Sequence, residues 1–236
     1  MKKTIGIVGG MGPLATCDLF KKIIELTDAS CDQEHVRVCI DNNTEISDRT
    51  AAILHGGKDP VPEMVKSAVR LQGMGADVLI MPCNTAHYFY DRITPFVDTP
   101  FLNMIEETAK VIKANGFKKV GLLATDGTCQ SGVYKRVFDA NGIEMCTPSP
   151  ENQQAVMDII YKGVKAGNLS IDTTGFERAM QELLDNGAET LILGCTELPV
   201  AFELYHFDKP NIDPTKVLAA AAVRFVGAKV KDGLGY

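Results

Sequence analysis

The 236-residue sequence has no tryptophan and only four histidines. No two cysteines stand at C-x-x-C spacing, which removes the zinc and thioredoxin-type patterns. Lysine and arginine never run beyond a pair, and the net charge is −6. The basic footprint that nucleic acid or an anionic membrane rewards is missing, so neither partner is expected. No apolar run approaches the ~20 residues of a membrane helix. The four histidines form no visible ligand set, and no metal is expected. There is also no disulfide framework. Seven cysteines, an odd number without framework spacing, suit a reducing cytoplasm. The opening stretch is not read as a signal peptide. Thr4–Pro13 carries four glycines and a proline, which suits a strand and a tight turn.

What remains is an ordinary globular composition, 45% hydrophobic and 23% charged. Four short apolar runs read as buried parallel strands: Thr4–Val8, Val78–Met81, Val120–Leu123 and Thr190–Leu193. Further strands are predicted at Val36–Asp41, Phe101–Asn103 and Gly142–Met145. Between them lie amphipathic helical segments, Val61–Met74 and Phe176–Asn186, each closed by a glycine. Strands alternating with helices predict an α/β protein with parallel sheets.

The second half echoes the first. Ile5-Gly6-Ile7-Val8 resembles Val120-Gly121-Leu122-Leu123, an offset of 115 from Ile5 to Val120. Gly75-Ala76-Asp77 through Cys83-Asn84-Thr85 resembles Gly187-Ala188-Glu189 through Cys195-Thr196-Glu197, an offset of 112 from Cys83 to Cys195. Nearly equal offsets predict a duplicated unit. The expected fold is two similar α/β domains related by a pseudo-twofold, with the active site in the cleft between them. The first domain takes residues 1–100 and 212–236, and the second takes 101–211. The last helix, Val217–Val230, packs back on the first.

Cys83 and Cys195 each follow a buried strand and precede polar residues. Ligands bind at the carboxyl ends of strands in open α/β sheets. A thiol near helix-start N–H groups is expected to ionise more readily than the ordinary ~8.5. Two thiols on opposite faces of one carbon have a chemical use. One takes the proton from Cα, the other returns a proton to the opposite face, and the roles swap in reverse. A single cysteine is ordinarily a small buried hydrophobe. That reading is kept for Cys17, Cys31, Cys39 and Cys146; Cys129, in a loop after a strand, is left open. The glycines at 6, 9, 10 and 12 do not fit G-x-G-x-x-G, so no nucleotide is expected.

At these residues the chain resembles the aspartate/glutamate racemase superfamily, its aspartate racemase branch in particular. The shared motifs are Gly9-Gly10-Met11-Gly12-Pro13, Asp48-Arg49-Thr50, Pro82-Cys83-Asn84-Thr85-Ala86-His87, Leu123-Ala124-Thr125, Gly127-Thr128, Val164-Lys165-Ala166-Gly167 and Gly194-Cys195-Thr196-Glu197. The resemblance implies a racemase with a two-cysteine mechanism, no pyridoxal phosphate or other cofactor, and a homodimer. It implies Arg49 and Lys165 as carboxylate binders for an acidic amino acid, aspartate first; arginine suits bidentate carboxylate binding. Lys162 is a rival to Lys165. Asn84, Thr85 and Thr196 suit helix capping, substrate binding or both. Thr125 and Thr128 are weaker candidates, and Met11 lines the first turn. His87 and Glu197 are candidates to tune the thiols, though His87 alternatively packs its helix and Glu197 alternatively holds the substrate ammonium. Glutamate racemases typically carry histidine where this chain has Glu197. Three other readings stay open: a maleate-type cis–trans isomerase, a racemase of another acidic or broad amino-acid range, and a non-catalytic protein that binds an acidic amino acid.

Overall fold

A computed structural model describes residues 2–231. The chain divides into two compact units, Met1–Glu107 with Thr215–Gly235, and Thr108–Pro214. In chain order the first half holds β1 (Thr4–Gly9), α1 (Pro13–Leu26), β2 (Arg37–Asn42), α2 (Arg49–Leu54), α3 (Val61–Gly73), β3 (Val78–Ile80), α4 (Tyr90–Ile93) and α5 (Met104–Ala114). Then come β4 (Lys119–Leu123), α6 (Asp126–Gln130), α7 (Val133–Ala140), β5 (Glu144–Cys146), α8 (Pro150–Asp158), α9 (Thr174–Asp185), β6 (Thr190–Leu193), α10 (Glu197–Leu204), β7 (Asn211–Ile212) and α11 (Pro214–Phe225). The boundary at Glu107 falls inside α5.

Each unit is an α/β fold around a parallel sheet. The first sheet has the order β2-β1-β3, the second β5-β4-β6-β7. In the first, Ile5 pairs with Val38 on one side and Val78 on the other. In the second, Val120 pairs with Met145 and Thr190. Every residue of β1 is buried, as expected of a strand covered on both faces.

The duplication is physical as well as sequential. Each central strand carries a glycine against which a helix leucine packs. A Cβ on Gly6 would meet Leu79 at 2.7 Å and Leu71 at 3.3 Å; one on Gly121 would meet Leu183 at 2.9 Å and Leu191 at 3.1 Å. Leu71 and Leu183 sit on α3 and α9, so both helices press onto the sheet at the same place. Both helices end the same way. Gly75 (φ +83°) and Gly187 (φ +87°) take the left-handed conformation, with bonds from Ala76 N–H to Leu71 O and from Ala188 N–H to Leu183 O. The acidic residue of each Gly-Ala-acid motif then clamps the start of the central strand. Asp77 accepts from Thr4 N–H at 2.7 Å, and Glu189 from Lys119 N–H at 3.0 Å.

Three expectations are corrected. Phe101–Asn103 is no strand: only Phe101 bridges, to Leu79. Pro100 has no N–H to give a ladder, and α5 starts at Met104. The last helix runs Pro214–Phe225, not Val217–Val230. Gly227 (φ +81°) ends it, and Val230 forms an antiparallel bridge with Thr27 instead. Leu218, Ala219, Ala222 and Val223 join Ile5, Ile7, Leu19 and Ile23 in one core of the first unit. Finally, Cys17 and Cys31 are exposed. The inner stripe of α1 is Ala15, Thr16, Leu19, Ile23 and Leu26, which leaves Cys17 on the outer face. Among the described residues no helix is long and apolar enough to cross a membrane.

Candidate functional site

In the first unit the candidate residues gather at the carboxyl ends of β1 and β3. The turn after β1 is held by its glycines. Gly10 has φ +93°, and a Cβ there would fall 2.2 Å from the Asn43 carbonyl oxygen. Only glycine fits. The Thr16 hydroxyl accepts from Gly10 N–H at 2.9 Å and donates to Gly12 O at 3.2 Å, which ties the turn to α1. Thr16 and Asn43 escaped the sequence reading; nothing in their local pattern marks them. Met11 is buried, and its carbonyl accepts from Arg49 Nη2 at 3.4 Å. Arg49 Nη1 donates to the carbonyls of Ser47 (3.0 Å) and Ile46 (3.3 Å). Its Nε is buried without a hydrogen-bond partner. Backbone carbonyls therefore position this guanidinium and leave one donor available to an acceptor. Asp48 sets the arginine at the start of α2 by accepting from Ala51 N–H at 2.6 Å.

Cys83 lies just past β3 and is buried; its N–H turns back to Met81 O at 2.9 Å. His87 does not reach the thiol. Its Nδ1 lies 2.8 Å from the carbonyl oxygen of Cys83, and its Nε2 is 3.1 Å from Met104 N–H. Nε2 must accept, so Nδ1 carries the proton and donates. Burial pushes this histidine down to about 4, against the opposing pull of the Cys83 carbonyl. It is a neutral tie between the cysteine loop and the start of α5, which corrects its expected role in tuning the thiol. Asn84 and Thr85 are both buried. Asn84 has helical dihedrals and makes no side-chain cap bond, so capping is corrected there too.

In the second unit the candidates gather beyond β4 and β6. Thr125 does cap a helix: its hydroxyl accepts from Thr128 N–H at 3.4 Å, and the two hydroxyls are 3.2 Å apart. Both residues are buried. Cys129, beside them, is pushed up to about 12 by burial and then by Asp126, so it stays a thiol.

Beyond β6, Cys195 donates from Sγ to Glu197 Oε2 at 2.9 Å. The Thr196 hydroxyl donates to the same oxygen at 3.2 Å rather than capping α10. The other oxygen, Oε1, takes Lys165 Nζ at 2.5 Å. Lys165 is delivered by a π-helical segment, Ile159–Val164, closed by a bond from its N–H to Ile160 O. No local residue pattern marks this wider turn. Gly167 (φ +64°) ends the segment. Lys162, the rival, pairs instead with Asp158 at 2.9 Å.

The charges in this trio are set by their neighbours. Burial works against the Glu197 carboxylate, but Lys165 and the Cys195 hydrogen bond outweigh it and hold the group below its usual range. Burial likewise works against the Lys165 ammonium, and Glu197 outweighs it, raising that group. Burial pushes the Cys195 thiol well up, and the Glu197 charge adds to this. The expected lowering of Cys195 is thus corrected: a carboxylate, not a run of helix-start N–H groups, is its nearest partner.

Residues 8–222 match the model of the Asp/Glu/Hydantoin racemase family. The chain is 31% identical over 232 residues to the broad specificity amino-acid racemase RacX of Bacillus subtilis (strain 168), covering 93% of this chain and 96% of that protein. Among solved structures, the aspartate racemase of Picrophilus torridus is 36% identical with a TM-score of 0.82, over 97% of this chain and 96% of that one. An aspartate racemase homologue from Pyrococcus horikoshii OT3 is 25% identical with a TM-score of 0.79, over 96% of this chain and 99% of that one.

Proposed function

Since the chain belongs to the Asp/Glu/Hydantoin racemase family, an isomerase family, we propose that it racemises acidic amino acids, aspartate first, with Cys83 and Cys195 as the two bases and no cofactor. One observation carries the pairing. The two cysteines occupy the same place in two copies of one unit, just past β3 and β6, each beside a central strand with its leucine-contacted glycine. Duplicated units put two groups of one chemical type at the disposal of one reaction, which is what inversion in both directions needs.

In the proposed reaction one thiolate takes the Cα proton. The C–H bond breaks, its electron pair stays on Cα and spreads into the α-carboxylate, and an S–H bond forms. The opposite thiol then gives its proton to the other face and becomes the thiolate. Arg49 and Lys165 are the proposed carboxylate binders. The spare Nε donor of Arg49 supports this role, because a carboxylate accepts two parallel N–H bonds from a guanidinium. Lys165 meets a carboxylate already, that of Glu197. Asn84, Thr85, Thr196, Thr125, Thr128 and Met11 are the proposed polar and backbone lining.

The specificity of the Bacillus subtilis relative supports a second reading, a racemase of broader range. Assays with a panel of amino acids separate the two: turnover of aspartate alone favours the first, comparable turnover of unrelated side chains the second. We further propose a reducing cytoplasm, which suits seven free cysteines, and a homodimer. Phe20, Ile24 and Ile40 form an exposed apolar face on α1 and β2 that a second copy would cover. A monomer by analytical ultracentrifugation would rule the dimer out.

A further inference from the structure

The two cysteines stand in equivalent places, but one difference between their neighbours bears on the thiol directly. Two residues after Cys195 is Glu197; two residues after Cys83 is Thr85. A hydroxyl and a carboxylate act differently on a thiol. An ionised carboxylate only accepts hydrogen bonds, so the 2.9 Å contact between Cys195 Sγ and Glu197 Oε2 requires the proton on sulfur. A thiolate at that distance would face a like charge. Lys165, on the other oxygen, keeps Glu197 ionised and so keeps the arrangement in force.

We infer that Glu197, paired with Lys165, fixes where the resting enzyme stores its proton: on Cys195, so that Cys83 is the base a first substrate molecule meets. This rests on the two-base reading above and deepens it. Glu197 is a positioning residue; it acts through Cys195. The enantiomer whose Cα–H faces Cys83 would find the free enzyme ready, whereas its mirror image must wait for the minor form with the proton moved. The other titratable groups that act around Cys195 are consistent with a protonated sulfur. Tyr134 on α7 is fully buried and stays neutral, pushed up by burial and then by Asp213 and the two cysteines near it.

The test is pH-dependent alkylation of the ligand-free, full-length protein with iodoacetamide, read peptide by peptide by mass spectrometry. In the wild type the Cys195 midpoint is expected above the value of about 8.5 for a free thiol. Glu197→Gln should lower that midpoint by about one to three units, because the carboxylate charge goes and the lysine charge stays. Lys165→Met should move it the other way. Opposite shifts from the two variants are not what loosened packing would give. The Cys83 peptide serves as the accessibility control, with its labelling unchanged. A wild-type Cys195 midpoint at or below the free-thiol value overturns the inference without any variant, as does a Glu197→Gln midpoint that does not fall. In turnover, Glu197→Gln should change the ratio of the KM values of the two enantiomers, with kcat moving in proportion because the equilibrium constant is unity. An unchanged ratio counts against the inference. Absence of turnover with either enantiomer sinks the two-base reading instead, and the alkylation result still decides where the proton lies.

Discussion

His87 Nδ1 donates to the carbonyl oxygen of Cys83 at 2.8 Å while its Nε2 accepts from Met104 N–H at 3.1 Å. Both ring nitrogens are used, and a second proton on the ring would leave Met104 N–H facing a donor. The folded protein holds this histidine at about 4, against 6.5 in the unfolded chain. The unfolded chain therefore binds the extra proton more readily between those values. Stability contributed by the neutral ring is complete above pH 6.5 and is lost as pH falls towards 4, by up to roughly 3 kcal/mol. Chemical denaturation across this window should show the decline. His87→Gln should be less stable at neutral pH and show a shallower decline. An equally steep decline in that variant would place the effect elsewhere.

Glycine at the centre of β1 and of β4 predicts a second result. Gly121→Ala would put a methyl 2.9 Å from Leu183 Cβ and 3.1 Å from Leu191. Overpacking of this kind costs about 1–3 kcal/mol. The thermal midpoint should drop accordingly. Gly10→Ala should be worse, since it adds a left-handed backbone strain to a 2.2 Å approach to Asn43. A melting temperature unchanged by Gly121→Ala would contradict the packing described.

Arg49 is held by carbonyls and keeps a spare donor, so its replacement should act on substrate binding more than on folding. Arg49→Lys retains the charge but not the fork. It should raise KM for the acidic substrate about tenfold or more, because a charge-assisted pair contributes roughly 1.5–3 kcal/mol. Steady-state kinetics with thermal melts in parallel check this. Unchanged KM with a lowered melting temperature would make Arg49 a structural residue.

Much of this was legible in the residues themselves. The Gly-Ala-acid motifs announce a helix stop and a strand in one short string, and the structure adds a carboxylate clamp to each. The strand-end cysteines follow from the same pattern. Other features depend on contacts far apart in sequence. Thr196 reads as a cap, but the nearest acceptor for its hydroxyl is Glu197. His87 reads as a thiol partner, but Met104, seventeen residues on, claims its other nitrogen. The π turn before Lys165 leaves no mark in composition, although it precedes the lysine that meets Glu197. The exposure of Cys17 follows from helical phase, which composition alone does not carry.

Two-base inversion at Cα by Cys83 and Cys195 is tested by proton NMR of L-aspartate incubated with the purified protein in D₂O. The Cα–H signal should disappear as D-aspartate forms, and Cys83→Ser and Cys195→Ser should each abolish racemisation. Retention of the Cα–H signal for aspartate and other acidic amino acids, or full activity in either serine variant, would contradict it.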